Sequence, residues 1–179
     1  MTNNRKYVVI CDIDNCFVDS REWFKLVPPA GDDREGWDEY QEHDDLCSPN
    51  SPVIDLMCAT ADILPVYFLT GREDRKQNRH NTILQIKEYS NGIIDMTVPC
   101  EHKLLMRSEF DYRQSDIVKE EMLKQMVAAG CIPVVAIDDE LANCEMYKRY
   151  NIPTVLYDID TNTFNKFHGA SAIISGGDW

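Results

Sequence analysis

The strongest constraint on what this chain folds into is a set of short apolar runs, each stopping at a polar residue. Tyr7-Val8-Val9-Ile10-Cys11 stops at Asp12, and Val66-Tyr67-Phe68-Leu69 stops at Thr70-Gly71. Val134-Val135-Ala136-Ile137 stops at Asp138-Asp139. None alternates apolar with polar residues, which is the pattern of strands covered on both faces. Thr154-Val155-Leu156-Tyr157 predicts a fourth strand of the kind, and Lys103-Leu104-Leu105-Met106 a fifth.

Helical segments lie between these runs. Ser51 is placed to cap a helix with Pro52 at its first position and Val53, Ile54, Leu56, Met57 and Ala61 inward. A second helix runs over Asn81–Tyr89, with Ile83, Leu84 and Ile86. A third is capped by Ser115 or Asp116, buries Val118, Met122, Met126 and Val127, and stops at Gly130. Leu141–Tyr150 is the fourth. Strands alternating with helices predict an α/β fold, a parallel sheet with right-handed crossovers and helices on both faces.

Residues 17–50 break this rhythm. They hold Pro28-Pro29, the aromatic residues Trp23, Phe24, Trp37 and Tyr40, and eight acidic residues between Asp32 and Asp45. The segment reads as a small cap inserted after the first strand of a single domain spanning residues 1–179. Its aromatic residues are expected to pack the cap onto the sheet, with stacking on a nucleobase as the alternative. The tail after Asp160 is weakly patterned and carries Gly176-Gly177.

Charge and composition exclude several classes. A net charge of −13 opposes a broad phosphate-tracking surface, though not a local pocket for one phosphate. Hydrophobic residues make up 44% of the chain, too many for a disordered one. No apolar run reaches the ~18 residues of a membrane span, and the polar start Met1–Lys6 does not read as a signal peptide. The seven cysteines lack CxxC spacing and are expected as free thiols in a reducing cytoplasm. The four histidines show no metal-ligand spacing.

In open parallel sheets, ligands bind beyond the carboxyl ends of the strands. Asp12, Asp14, Thr70, Asp138 and Asp139 all fall there. Carboxylates gathered in one crevice repel one another unless a cation joins them, and hard oxygen ligands suit Mg²⁺. Asp12 and Asp14, two residues apart, face one side while Ile13 turns into the core. Such a site suits phosphoryl transfer to a carboxylate, with a second carboxyl for proton transfer. Lys119 is the natural cation for the phosphoryl oxygens, and Thr70 a hydrogen-bond donor to them.

The order Asp-x-Asp, Thr-Gly-Arg, Lys, Asp-Asp resembles the four motifs of the haloacid dehalogenase (HAD) superfamily of phosphatases. The stretches Leu69-Thr70-Gly71-Arg72-Glu73, Leu105-Met106-Arg107, Ser115-Asp116-Ile117-Val118-Lys119-Glu120-Glu121 and Ala136-Ile137-Asp138-Asp139 are similar to the 3′-phosphatase domain of polynucleotide kinase-phosphatases, the phage form in particular. This resemblance covers residues 6–16 and 52–157. It implies a HAD-like Rossmannoid fold, with Asp12 as nucleophile, Asp14 as general acid/base, and Thr70 and Lys119 holding the phosphoryl group. It also implies Mg²⁺ bound by Asp12, the Asp14 backbone carbonyl and Asp138 or Asp139. Arg107 and Gly71 fall at the substrate phosphate, while Arg72 either serves the site or pairs with local carboxylates.

The chain departs from the superfamily at Asn15-Cys16, where Gly-Thr is usual. Asn tolerates the left-handed backbone that Gly supplies; Cys16 replaces a hydroxyl and, beside the nucleophile, suggests sensitivity to oxidation. No P-loop sequence is present. The expected substrate is a phosphorylated nucleotide or nucleic-acid 3′ end. Alternatives are a phosphatase of free nucleoside 5′-monophosphates, or a receiver-like or catalytically inactive acidic binding module.

Overall fold

A computed structural model describes residues 5–26 and 34–168. Pro28-Pro29, the first acidic residues of the 31–45 stretch and Gly176-Gly177 lie outside them. The elements run β1 (Lys6–Cys11), β2 (Val18–Asp19), α1 (Arg34–Gln41), β3 (Ser48–Pro49), α2 (Ser51–Ala61), β4 (Val66–Glu73) and α3 (Lys76–Tyr89). They continue with β5 (Lys103–Arg107), α4 (Ser115–Ala128), β6 (Cys131–Asp138), α5 (Leu141–Arg149), β7 (Thr154–Asp158) and β8 (Thr163–His168).

The main sheet has the order β5-β4-β1-β6-β7-β8. All its pairings are parallel except that of β8, which returns antiparallel to β7. Neighbouring side chains on each strand feed opposite cores, as strand geometry requires. Val9, Cys11, Val66 and Phe68 meet Met57 of α2 and Ile86 of α3 on one face. Val8, Ile10, Tyr67 and Leu69 meet Met122 and Leu123 of α4 and Met146 and Tyr147 of α5 on the other. The strands are therefore apolar throughout because both faces are covered, and their carboxyl ends align along one edge.

Several local expectations are corrected. Strand β4 does not stop at Thr70-Gly71 but continues to Glu73, with a register break against β5 between Thr70 and Glu73. The sheet also slips between Val8 and Val9 of β1, opposite Pro133 of β6; proline brings no N–H to a ladder. Helix α3 starts at Lys76, and its buried residues are Thr82, Gln85 and Ile86, whereas Leu84 is exposed. In α4, Leu123 is buried and Val127 is not. In α2, Leu56 faces solvent.

The helix caps differ from these expectations. Asn50, not Ser51, precedes α2, and its amide spans from the Cys16 carbonyl to the Tyr157 hydroxyl. Gln114 precedes α4, while the Ser115 hydroxyl accepts from Asn143 of α5. Gly130, with φ +87°, follows α4 in a conformation open chiefly to glycine. The unforeseen strand β8 follows a turn containing Asn162 at φ +54°.

The segment after β1 leaves the sheet through a second small one, in which β2 pairs antiparallel with β3. Between these two strands lie α1 and single 3-10 turns at Phe24–Leu26 and Asp44–Leu46. Phe17 anchors the root of this insertion edge-on against Phe68, with ring centroids 5.1 Å apart. Phe68 is fully buried. Phe68→Ala is expected to cost ~3–5 kcal/mol of stability, measured by urea unfolding followed by circular dichroism.

Candidate active site

The turn after β1 sets the first carboxylates. Asp12 N–H still bonds the Ile137 carbonyl of β6 at 2.9 Å, so Asp12 leaves the sheet at a fixed point. Ile13 is buried in the core and Asn15 turns the chain at φ +54°, in the place where the superfamily has glycine. The Asn15 side-chain oxygen accepts from both the Ser20 amide and hydroxyl, which holds the turn. Cys16 is fully buried, with its thiol directed at the Ile137 carbonyl. Burial pushes that thiol well above its ordinary pKa. A protonated, enclosed thiol is unreactive, so the expectation of oxidation sensitivity at Cys16 is withdrawn.

Lys119, one turn into α4, reaches the end of the sheet with only 2% of its surface exposed. Its ammonium lies 2.7 Å from Asp12 Oδ1 and 2.8 Å from Asp138 Oδ2. Burial opposes the Lys119 charge, but the Asp12 and Asp138 carboxylates outweigh it and hold the pKa well above the ordinary lysine value. Asp138 Oδ1 accepts from the Glu140 amide at 3.1 Å and the Asn143 amide at 2.9 Å. Asp138 is thus saturated and wholly buried, whereas Asp139 lines the open cleft.

Oxygens of Asp12, Asp138 and Asp139 all lie within 4.8 Å of one another. Three carboxylates share one lysine, so the group carries uncompensated negative charge. Burial and the neighbouring Asp138 push the Asp139 carboxyl up to about 7. Burial raises Asp12 well above the carboxylate range, with Lys119 opposing and Asp138 and Asp139 adding to the rise. An all-oxygen, electron-rich donor set of this kind fits a hard divalent cation such as Mg²⁺.

The second ionic node is Arg72, also 2% exposed. Its Nη2 and Nε lie 2.7 Å and 3.0 Å from the Asp14 carboxylate. Its Nη1 donates to Gln85 Oε1 at 2.9 Å and to Thr82 Oγ1 at 3.3 Å. This explains why α3 buries two polar residues: they complete the guanidinium's hydrogen bonds. Of the two roles open for Arg72, the geometry is a pairing with carboxylates, one of which is the candidate proton carrier. The Arg72 amide donates to Thr70 Oγ1 at 3.1 Å; Thr70 is fully buried and, unlike Gly71 and Arg72, is not among the residues that line the cleft.

Asp44, from the insertion, was not singled out from the sequence. Its carboxylate is buried, and neither oxygen has a hydrogen-bond partner among the described residues. Arg72 Nε is 3.8 Å away, a charge contact too long for a hydrogen bond. Burial, opposed by Arg72 and reinforced by Asp14, pushes the Asp44 carboxyl up to about 8.

Arg107 closes another side. Its Nε donates to the Gly71 carbonyl at 2.9 Å and its Nη1 to the carbonyls of Asp111 and Arg113. A Cβ at position 71 would meet Arg107 Nη2 at 3.4 Å, at the edge of ordinary van der Waals contact. These residues surround a cleft of about 480 Å³ lined by Asp12, Asp14, Asp139, Gly71, Arg72, Arg107 and Lys119. Phe24, Trp37 and Tyr40 of the insertion and Tyr112 and Arg113 of the segment after β5 also line it. The aromatic group therefore divides. Trp23 packs on the core and stacks on His43 at 4.3 Å, whereas Phe24 and Trp37 face the cleft.

The Asp44 shift has a defined sign. Its folded-state pKa of about 8 exceeds the ordinary carboxylate value, so the native state holds a proton that the unfolded chain releases above pH ~4. Asp44 then weakens the fold progressively as pH rises from about 4 to 8. Asp44→Asn is expected to flatten this decline, read from urea midpoints taken at intervals between pH 5 and 8. A parallel decline in both proteins would refute the assignment.

The comparisons with known proteins agree with this geometry. A family model described as the polynucleotide kinase PNKP phosphatase domain matches residues 6–164. No curated protein sequence matches the chain. Among solved structures, chains of two Pnkp1/Rnl/Hen1 complexes superpose with TM-scores of 0.64 and 0.62 at 22% and 21% identity. They cover 86% and 85% of this chain, which spans only 46% and 42% of theirs. A haloacid dehalogenase-like hydrolase from Streptococcus pneumoniae superposes with a TM-score of 0.56 at 13% identity, covering 88% of this chain and 86% of its own. The magnesium-bound HAD hydrolase YfnB from Bacillus subtilis gives 0.52 at 10% identity, covering 86% of this chain and 87% of its own. At such identities these structures show the shared fold, a mostly parallel α/β sheet of HAD type. The match over residues 6–164 shows more: the chain belongs to the PNKP phosphatase domain family of HAD phosphatases.

Proposed function

We propose that this domain is a Mg²⁺-dependent phosphomonoesterase that removes 3′-phosphates from nucleic-acid ends or nucleotides. The observation that carries this reading is the pair of carboxylates on one cleft: Asp12 held by Lys119 and Asp14 held by Arg72. The Asp12 oxygen attacks phosphorus, and the ester bond to the leaving oxygen breaks. Asp14 gives that oxygen a proton, leaving a free hydroxyl and an aspartyl-phosphate. Asp14 then takes a proton from water, whose oxygen attacks phosphorus, releasing phosphate and regenerating Asp12.

Lys119 and the Thr70 hydroxyl hold phosphoryl oxygens, and Arg107 with the Gly71 backbone lines the substrate side. Asp12, Asp139 and the Asp14 backbone carbonyl would hold Mg²⁺, with Asp138 placing Lys119 and completing the charge. When bound, the ion neutralises developing charge on the phosphoryl oxygens. Residues 17–50 work as a cap over the cleft within a single domain. The charge of −13 and the acidic insertion favour a short end or small substrate over a long duplex. One of the two Pnkp1/Rnl/Hen1 structures is of an RNA repair complex, which supports a nucleic-acid end over a free 5′-mononucleotide.

Phosphate release with Mg²⁺ on a 3′-phosphorylated oligonucleotide, its 5′-phosphorylated twin, and 3′- and 5′-mononucleotides tests the reading. The 3′-phosphorylated oligonucleotide is expected to turn over fastest, with activity lost in EDTA and restored by Mg²⁺. Asp12→Asn is expected to lower turnover by roughly a thousand-fold or more without lowering the melting temperature. Preference for 5′-mononucleotides would move the protein to nucleotide hydrolysis, and silence on all four would favour an inactive binding module.

A further inference from the structure

Arg72 lies between two carboxylates and serves one of them. Asp14 receives Nη2 at 2.7 Å and Nε at 3.0 Å. Asp44 Oδ2 lies 3.8 Å from the same Nε, and among the described residues neither Asp44 oxygen has a hydrogen bond. Asp44 is only 3% exposed, so water does not replace the missing partner at the surface. Burying a carboxyl group without a hydrogen bond is costly, and its persistence in a fold calls for a cause. A guanidinium this close to Asp44 that turns its N–H groups elsewhere is held in that orientation by something besides charge.

The hold is on Nη1. It donates to Gln85 Oε1 at 2.9 Å and to Thr82 Oγ1 at 3.3 Å, both on α3 and both buried. The Gln85 amide has one usable orientation. Its Nε2 donates to the backbone carbonyls of Asp44 at 3.1 Å and Cys47 at 3.4 Å. Carbonyls only accept and a guanidinium only donates, so a flipped amide would lose all three contacts. The guanidinium is planar and rigid, so fixing Nη1 on Gln85 also fixes where Nε and Nη2 point. They point at Asp14. The same amide grips the Asp44 backbone and thereby sets the distance of the rival carboxylate.

We propose that Gln85 is a positioning residue for the reaction, holding the Arg72 fork on Asp14 against the competing carboxylate of Asp44. The proposal rests on the reading above, in which Asp14 carries the proton, and adds to it how that carboxyl is kept in place. Without Gln85, Nη1 loses its nearer acceptor and Arg72 turns toward Asp44, which releases Asp14. A proton donor displaced from hydrogen-bond reach of the leaving oxygen loses most of its effect. Esters differ in how much they need that proton. A nucleotide leaves as a strongly basic alkoxide unless Asp14 protonates it. para-Nitrophenolate is a weak base and leaves unaided. Because kcat/KM covers the steps through departure of the leaving group, a displaced Asp14 lowers it for the first ester and spares the second.

The test measures kcat/KM with Mg²⁺ on a 3′-phosphorylated oligonucleotide and on para-nitrophenyl phosphate, alongside melting temperatures. Asp14→Asn calibrates the pair and is expected to lose far more on the oligonucleotide. Gln85→Leu is expected to lose about ten-fold or more on the oligonucleotide and to stay within about two-fold on the nitrophenyl ester. Adding Asp44→Asn to Gln85→Leu removes the rival charge and should restore most of the oligonucleotide activity. Thr82→Val, which removes the longer of the two Nη1 contacts, should lose less, in the same selective sense, and carries the test if Gln85→Leu does not fold. Equal loss on both esters would show damaged packing and overturn the proposal. No loss on either ester, or no recovery in the double variant, would overturn it as well. A wild-type protein inactive on both esters, or an Asp14→Asn variant that loses equally on both, would instead overturn the underlying reading of Asp14, and the role of Gln85 with it.

Discussion

The buried ammonium of Lys119 is the point on which the site depends. It comes from α4 and touches carboxylates at the ends of two adjacent strands, Asp12 after β1 and Asp138 at the end of β6. A charge so buried is tolerable only when paired and hydrogen-bonded. The contact therefore requires the helix and both strands to meet at one place. Asn143 and the Glu140 amide hold the other Asp138 oxygen, which brings the start of α5 into the same arrangement. What remains unbalanced, centred on Asp139, is left facing the cleft.

Arg72 plays the matching part on the other side of the sheet's end. It fastens Asp14, draws on Thr82 and Gln85 of α3, and lies against Asp44 of the insertion. One guanidinium thereby joins the first turn, the second helix layer and the inserted segment. Two carboxylates compete for it, and Asp44 is the one left without hydrogen bonds among the described residues. Gln85 also donates to the Asp44 and Cys47 carbonyls, so the helix that steadies Arg72 steadies the return of the insertion as well.

Strand runs such as Tyr7–Cys11 and Val134–Ile137 were legible because a strand covered on both faces leaves a continuous apolar signature. The strand-end carboxylates were legible for a related reason: polar residues abruptly ending such runs mark the exposed edge of the sheet. Less visible were features in which a side chain serves a distant partner. Ser51 and Ser115 look like caps, yet Asn50 and Gln114 occupy those positions while the Ser115 hydroxyl accepts from Asn143. Thr82 and Gln85 interrupt the apolar face of α3, so periodicity started that helix too late. Strand β8 was missed because it is an edge strand with a mostly polar sequence, Thr163 to His168.

The sequence by itself determined the order of the parallel strands and the helices between them, the apolar faces of the sheet, and the set of residues at its carboxyl edge. Those properties follow from local periodicity and from residues next to one another in the chain. Tertiary structure alone decided which carboxylate each cation holds, that Asp138 is saturated while Asp139 faces the cleft, and that Asp44 is buried beside Arg72. It also decided that Trp23 packs inward while Phe24 and Trp37 line the site. These outcomes depend on distances between segments far apart in the chain, where a buried charge takes the partner that packing brings within reach.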